Sequence, residues 1–308
     1  MLPSLSNLHL VGAPDRSSVT NAPRDATNDL SEDLLGEVMA YIENGTIGYA
    51  CQVNRRMRAI CLDVALWRAL CVREGYGPPP AGVSWMYHYA RNANPAYAVR
   101  VDQDLIDAAS DRDLARMQEL FAAGANVHAN NDRALWLASE QGYAEVVRVL
   151  LAAGADVHAQ DDAALRFAST KGHIEVLQVL LAAGADVHAR DDAALRGAST
   201  KGHIEVLQVL LAASADVHAN DDEALWLAST NGYVEVVRLL LAAGADVHAR
   251  DDAALREASY AGRVEVVQVL LAAGANVHVY NNAALREASM LGHAEVVQML
   301  LAAGATPL

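Results

Sequence analysis

Asp161-Asp162-Ala163-Ala164-Leu165-Arg166-Phe167-Ala168-Ser169-Thr170-Lys171-Gly172-His173-Ile174-Glu175-Val176-Leu177-Gln178-Val179-Leu180-Leu181-Ala182-Ala183-Gly184-Ala185-Asp186-Val187-His188-Ala189-Arg190 is followed, from Asp191, by nearly the same 30 residues again. Within this unit Leu165 and Ala168 lie three apart, on one face of a first helix that Asp161 or Asp162 is placed to cap. Gly172 breaks that helix. A second is predicted from Ile174 to Ala183, with Val176, Leu177, Leu180 and Leu181 as its apolar stripe and Glu175 in its first turn. Gly184 stands where a left-handed residue ends a helix, and Ala185 to Arg190 form the loop to the next unit.

The unit repeats in both directions. Leu135, Leu165, Leu195, Leu225, Leu255 and Leu285 form one column, Ala138 to Ala288 a second, and Gly142 to Gly292 a third. A weaker copy opens near Val101, with Leu105 and Gly124 in register and Arg112 in place of the column glycine, giving seven units. A period of this length means a solenoid whose units bury their apolar faces only against neighbours. Trp136 with Tyr143 returns three units later as Trp226 with Tyr233, so duplication of a three-repeat block is inferred.

Ala168-Ser169-Thr170-Lys171-Gly172-His173-Ile174-Glu175-Val176 and Leu180-Leu181-Ala182-Ala183-Gly184-Ala185-Asp186 resemble the ankyrin family, with its alanine-rich first helix, "GH" turn and "LL..GAD" ending. The unit is three residues shorter than the familiar one, and Ala163-Ala164-Leu165-Arg166 replaces the "TPLH" opening. The resemblance therefore implies shortened loop fingers, as in the ankyrin repeats common in giant DNA viruses.

Residues Leu30 to Gly77 leave the repeat. Leu30-Ser31-Glu32-Asp33-Leu34-Leu35-Gly36-Glu37-Val38, then Val53-Asn54-Arg55-Arg56-Met57, then Asp63-Val64-Ala65-Leu66-Trp67-Arg68-Ala69-Leu70-Cys71 resemble an F-box. Ser31, Asn54 and Met57 depart from its usual proline, cysteine and tryptophan. The resemblance implies docking on a Skp-type adaptor of a ubiquitin ligase through Leu30, Leu34, Leu35, Val38, Ile42, Val53 and Trp67. A helical cap closing the solenoid is the other reading of the same residues.

Composition narrows the rest. With 53% apolar residues, 5% aromatics and a mass of Ala, Leu and Val, the chain favours closely packed helices over sheet. A net charge of -15 without a basic stripe speaks against nucleic acid. Cys51, Cys61 and Cys71 lie in one short stretch without metal-ligand spacing, so reduced intracellular thiols that pack are expected. No apolar run reaches the ~18 residues of a membrane span, and no secretory leader is visible, so a cytoplasmic location is expected.

Chemistry finds little footing. His128, His158, His188, His218, His248 and His278 occur once per repeat. Copies one helix-packing distance apart, about 8–10 Å, cannot share a zinc ion bound at ~2.0–2.1 Å, so loop hydrogen bonding is their expected role. His173-Ile174-Glu175 spells the H-x-E of zinc deaminases, but no cysteine follows Cys71 to complete it. The column Arg166, Arg196, Arg256 and Arg286 reads as a charged strip or as solvated decoration paired with Asp162, Asp192 and Asp252, each four residues earlier. Ser214 interrupts the second glycine column.

These readings converge on an all-α protein: residues 1–28 disordered, 29–74 F-box-like, 75–100 a linker with a helix near Trp85 to Asn92, and 101–308 seven ankyrin-like repeats. The expected function is a non-enzymatic adaptor without metal or cofactor, recruiting an unidentified target protein to a Skp-containing ligase, with a viral setting in a host cell. By resemblance, loop tips and first helices face the target. Trp136, Leu137, Phe167, Trp226, Leu227 and Tyr260 are the candidate contacts there, although Trp136 and Trp226 equally suit packing between units. Phe167 is the sharper candidate because Gly197 occupies the same position one repeat on.

Overall fold

The computed structural model describes residues 64–78 and 85–306, with residue 40 besides. The expected disordered segment 1–28 and most of the F-box-like segment, including Leu30, Leu34, Leu35, Val38, Ile42 and Val53, lie outside the described residues. Those described contain 16 helices and no strand. Two lead the array, α1 (Val64–Arg73) and α2 (Trp85–Ala93). Seven pairs follow, beginning with α3 (Pro95–Ser110) and α4 (Leu114–Ala122). The remaining first helices are α5 (Ala129–Gln141), α7 (Ala159–Lys171), α9 (Ala189–Lys201), α11 (Ala219–Asn231), α13 (Ala249–Tyr260) and α15 (Val279–Leu291). Their partners are α6 (Ala144–Ala152), α8 (Ile174–Ala182), α10 (Ile204–Ala212), α12 (Val234–Ala242), α14 (Val264–Ala272) and α16 (Ala294–Ala302). Helix α3 starts inside the stretch expected to be linker and runs on into the first repeat.

The leucine and alanine columns do what their spacing requires. Leu165, Leu195 and Leu255 are fully buried, as are Ala138, Ala168, Ala198, Ala228, Ala258 and Ala288. Burying each leucine favours folding by about 1.5–3 kcal/mol, and the small alanines let successive helices approach closely. First helices of neighbouring repeats pack far more closely than second helices do, so the array bends with the first helices on its inner side. One apolar core runs from Trp67 to Ala305.

At the front, α1 packs on α2 and α2 on α3. Trp67, Leu70 and Cys71 are buried with Met86, Tyr89 and Ala90, and the Trp67 ring lies 5.8 Å from that of Tyr89. Burial pushes the Cys71 thiol pKa up.

Gly142, Gly172, Gly202, Gly232 and Gly262 each serve two needs. Gly172 ends α7 at φ 81, and a Cβ there would stand 2.7 Å from the His203 ring of the next repeat. That ring donates from Nε2 to the carbonyl of Thr170 at 3.1 Å, closing an orphaned helix end. His173 and His293 repeat the bond on Glu140 and Tyr260. Arg112, in the glycine position of repeat one, takes φ 58 regardless. Ser214 likewise adopts φ 69 where its column neighbours are glycines at φ 94 to 101.

The loop corrects one sequence expectation. Gln160, Asp161 and Asp162 have φ of 56, 56 and 53, so the chain makes one left-handed turn before the right-handed helix begins, and five other repeats do the same. Left-handed helical backbone costs roughly 1–2 kcal/mol per ordinary residue, least for Asn and Asp, which fill most of these positions. Asp162 consequently caps nothing in its own helix. Its N–H donates to the His158 carbonyl at 3.2 Å, and its carboxylate is turned toward the loop that leads out of its repeat.

Candidate functional site

The left-handed turns form the inner edge of the array, and their hydrogen bonds fix where the first helices point. Asp162 is buried; it accepts the backbone N–H of Asp186, 24 residues on, at 2.8 Å and the Nδ1–H of His158 at 3.2 Å. Asp132, Asp192 and Asp222 take the N–H groups of Asp156, Asp216 and Asp246 at 2.8 Å, and Asp252 that of Asn276 at 2.7 Å. The donors' own side chains turn back: Asp186 accepts the N–H of His188 at 2.9 Å. In repeats two to six the ladder thus ties each repeat's opening turn to the loop that leads out of it, by a charge-assisted hydrogen bond to a buried carboxylate. The one-per-repeat histidines belong to this network. Among the described residues no three His, Cys, Asp or Glu side chains come together as a metal site.

The arginine column has a different task from the one its sequence spacing suggested. Arg166 donates from Nε to the Asp161 carbonyl and from Nη2 to the Gln160 carbonyl, both at 2.9 Å. Arg196 does the same on Asp191 and Arg190, and reaches Glu223 at 2.6 Å. The pairing with the aspartate four residues earlier gives way because the left-handed turn leaves two carbonyls unpaired, and a guanidinium satisfies both. Burial first, and then the neighbouring Arg190, lower the Arg166 pKa.

Tips of adjacent repeats are clasped as well. Gln160 donates to the Asn131 carbonyl at 3.0 Å, Arg190 pairs with Asp161 at 3.0 Å, and the Tyr280 hydroxyl donates to Asp251 at 2.6 Å. That last bond holds the Tyr280 phenol pKa above its ordinary value. The tips are compact turns, and the exposed variety of the array lies on the helices behind them.

There the candidate contact residues are found. Trp136 and Phe167, from adjacent repeats, stack with centroids 5.3 Å apart and planes at 29°, and both are half-buried. Arg133 lies over the Trp136 ring at 5.7 Å. Trp136 Nε1 is enclosed and has no hydrogen-bond partner among the described residues. Leu137, Trp226 and Leu227 are half-buried, Trp226 beneath the Arg250 guanidinium at 5.4 Å, and Tyr260 is 54% exposed. All six side chains sit on first helices. Trp136 with Phe167 forms one shelf, Trp226 with Leu227 stands three repeats away, and Tyr260 lies beyond. Trp67, expected to face an adaptor, is 1% exposed and packed on Tyr89.

Sequence reasoning missed the aspartate ladder, the arginine caps and Tyr280, which is 58% exposed on the same face. The ladder had a signal in the fixed distance of 24 residues from Asp132, Asp162, Asp192, Asp222 and Asp252 to Asp156, Asp186, Asp216, Asp246 and Asn276. The handedness of the turn had none, since Asn and Asp serve right-handed caps equally well.

The described residues form a helix-hairpin solenoid with a continuous first-helix face. Comparison makes this specific. A model of ankyrin repeats in three copies matches residues 105–191 and 192–251, and a single ankyrin repeat matches 253–282, together more than half of the chain. The chain belongs to the ankyrin-repeat family, whose members bind protein targets and are typically non-enzymatic scaffolds. Among solved structures it is similar to the human ASB11 ankyrin repeat domain, at 28% identity and a TM-score of 0.58, over 66% of this chain and 99% of that one. No curated protein matches. Among the described residues no helix is long and apolar enough to cross a membrane.

Proposed function

We propose that this chain is the substrate-recruiting subunit of an SCF-type ubiquitin ligase, acting in the cytoplasm, with a virus-infected host cell as its setting. The ankyrin array holds the target protein on its first-helix face. The front segment docks on a Skp-type adaptor through Leu30, Leu34, Leu35, Val38, Ile42 and Val53. Trp67 supports that segment from within rather than touching the adaptor. The chain's own contribution is proximity and orientation.

The observation that carries this reading is the ordered run from Leu30-Ser31-Glu32-Asp33-Leu34-Leu35 to Leu66-Trp67-Arg68-Ala69-Leu70-Cys71 directly ahead of a protein-binding array. Its test is a pull-down of the full chain with purified Skp adaptor, alongside a Leu34→Ala/Leu35→Ala variant. Stoichiometric capture by the parent chain and loss in the variant are expected. No capture by a chain whose far-UV spectrum is intact removes the ligase role.

A second reading rests on a different observation. The core is unbroken from Trp67 through Met86 and Tyr89 into Leu105, as it would be if the front segment simply closed the solenoid. Under that reading the chain is an ankyrin scaffold without a ubiquitin role, and the same pull-down separates the two.

A further inference from the structure

The first-helix face is not uniform along the array. Residues 133–141, 163–171 and 193–201 carry Arg133, Arg166, Lys171, Arg196 and Lys201 against one acid, Glu140. Residues 223–231, 253–261 and 283–291 carry Arg256 and Arg286 against Glu223, Glu257 and Glu287. With the opening turns counted, Arg190 joins the cations and the exposed Asp161 and Asp191 join Glu140, while Asp132, Asp162 and Asp192 are buried, so on these three helices cations outnumber the acids open to solvent.

The Trp136–Phe167 shelf lies on the same three repeats, where the stacked rings offer a flat apolar surface. Beside it the column of Leu137, Phe167, Leu227, Glu257 and Glu287 drops to Gly197, where Thr170 Oγ1 occupies the space a Cβ would take, 2.3 Å from its position. The flanks are closed by ion pairs, Lys171 with Glu140 at 3.4 Å and Arg196 with Glu223 at 2.6 Å. Arg190 adds a further cation at the tip, shared with Asp161. Arg133 and Lys201 are exposed.

We propose that the first-helix face of repeats two to four docks an acidic peptide segment carrying one large aromatic or aliphatic anchor. The anchor lies on the Trp136–Phe167 shelf, and flanking carboxylates meet Arg133, Lys171 and Lys201. The like charge of Arg166 and Arg190 at the inner edge favours the same partner. Aromatic anchors in half-buried pockets carry most of the energy at such surfaces, while exposed cations set orientation and association rate. This inference rests on the first-helix face being the target-binding surface, and it names the chemistry of what binds there.

The test is selection of a random peptide library displayed on phage against the full chain, followed by fluorescence anisotropy with the enriched peptides. Expected are sequences pairing Asp or Glu with Phe, Trp or Leu, with affinity that falls as salt is raised. Phe167→Ala and, separately, Lys171→Glu/Lys201→Glu each weaken them by roughly tenfold. Gly197 at the equivalent position shows that the fold tolerates the first change, and the lysines are exposed, so both variants keep their structure. Enriched peptides that are basic, or acidic ones indifferent to both variants, overturn the inference and leave protein binding elsewhere on the array standing. Tighter binding of a single-stranded RNA oligomer than of any peptide overturns it in favour of a different partner class. Failure to enrich any peptide counts against both this inference and the binding-face reading beneath it.

Discussion

Replacing Asp192 by alanine breaks the ladder in mid-array. The carboxylate is 3% exposed and accepts the N–H of Asp216 at 2.8 Å and His188 Nδ1–H at 3.2 Å. Alanine strands the Asp216 N–H away from water, at a cost of about 1–3 kcal/mol. It also puts a less tolerant side chain at φ 55, adding up to ~1 kcal/mol, for a total of roughly 1–4 kcal/mol. Asparagine keeps an acceptor oxygen and the left-handed preference, so Asp192→Asn should cost less than about 1 kcal/mol. The protein already places Asn282 at the equivalent site of the last repeat, where it accepts from His278 at 3.1 Å. Urea denaturation followed by circular dichroism measures both. Because solenoid repeats are coupled only to their neighbours, the alanine variant should also lose cooperativity, with repeats one to four unfolding apart from repeats five to seven. Tryptophan fluorescence in a Trp226→Phe background, reporting only the front of the array, resolves the two steps. Equal losses for alanine and asparagine, or a loss below about 0.5 kcal/mol for alanine, would refute the ladder as a source of inter-repeat coupling.

Three further outcomes are expected. Ser214→Gly relieves a residue at φ 69 and should raise stability by ~0.5–1 kcal/mol, seen as a higher urea midpoint. Gly184→Ala, at φ 94 with nothing within 4 Å of the new Cβ, should cost about 1–2 kcal/mol from backbone strain alone. Gly172→Ala should cost ~2–4 kcal/mol because the added carbon also displaces the His203 ring from the Thr170 carbonyl, and comparison of the two midpoints checks the difference. In a Cys51→Ser/Cys61→Ser background the remaining thiol, Cys71, is fully buried with its pKa pushed up. It should resist a disulfide reagent at pH 8 in the native chain and react at once in denaturant.

The repeat was legible in the sequence because leucine, alanine and glycine at fixed spacing admit one packing solution. Their columns appear as written, down to the helix Ile174–Ala182. The face carrying Trp136, Phe167 and Tyr260 was legible for the same reason, since residues one place removed from a buried column must lie at its border. Legibility failed where two geometries share one composition. Asp161 and Asp162 suit a right-handed cap as well as the left-handed turn that sends Asp162 across to Asp186. Arg166 followed suit, since helical spacing to Asp162 ceases to apply once the turn intervenes. Gly197 was read as proof that its site needs no bulk. The structure adds that Thr170 Oγ1 fills the space a side chain would need.

The aspartate ladder has an evolutionary consequence. Its donor amide and its acceptor side chain lie 24 residues apart inside one unit, so each copy carries its own rung and any repeat can follow any other without new contacts being invented. Blocks of 30 residues can be copied, lost or shuffled while the seams stay chemically identical, as the near-twin repeats beginning at Asp161 and Asp191 illustrate. Selection is then left free to rewrite the helix surfaces alone.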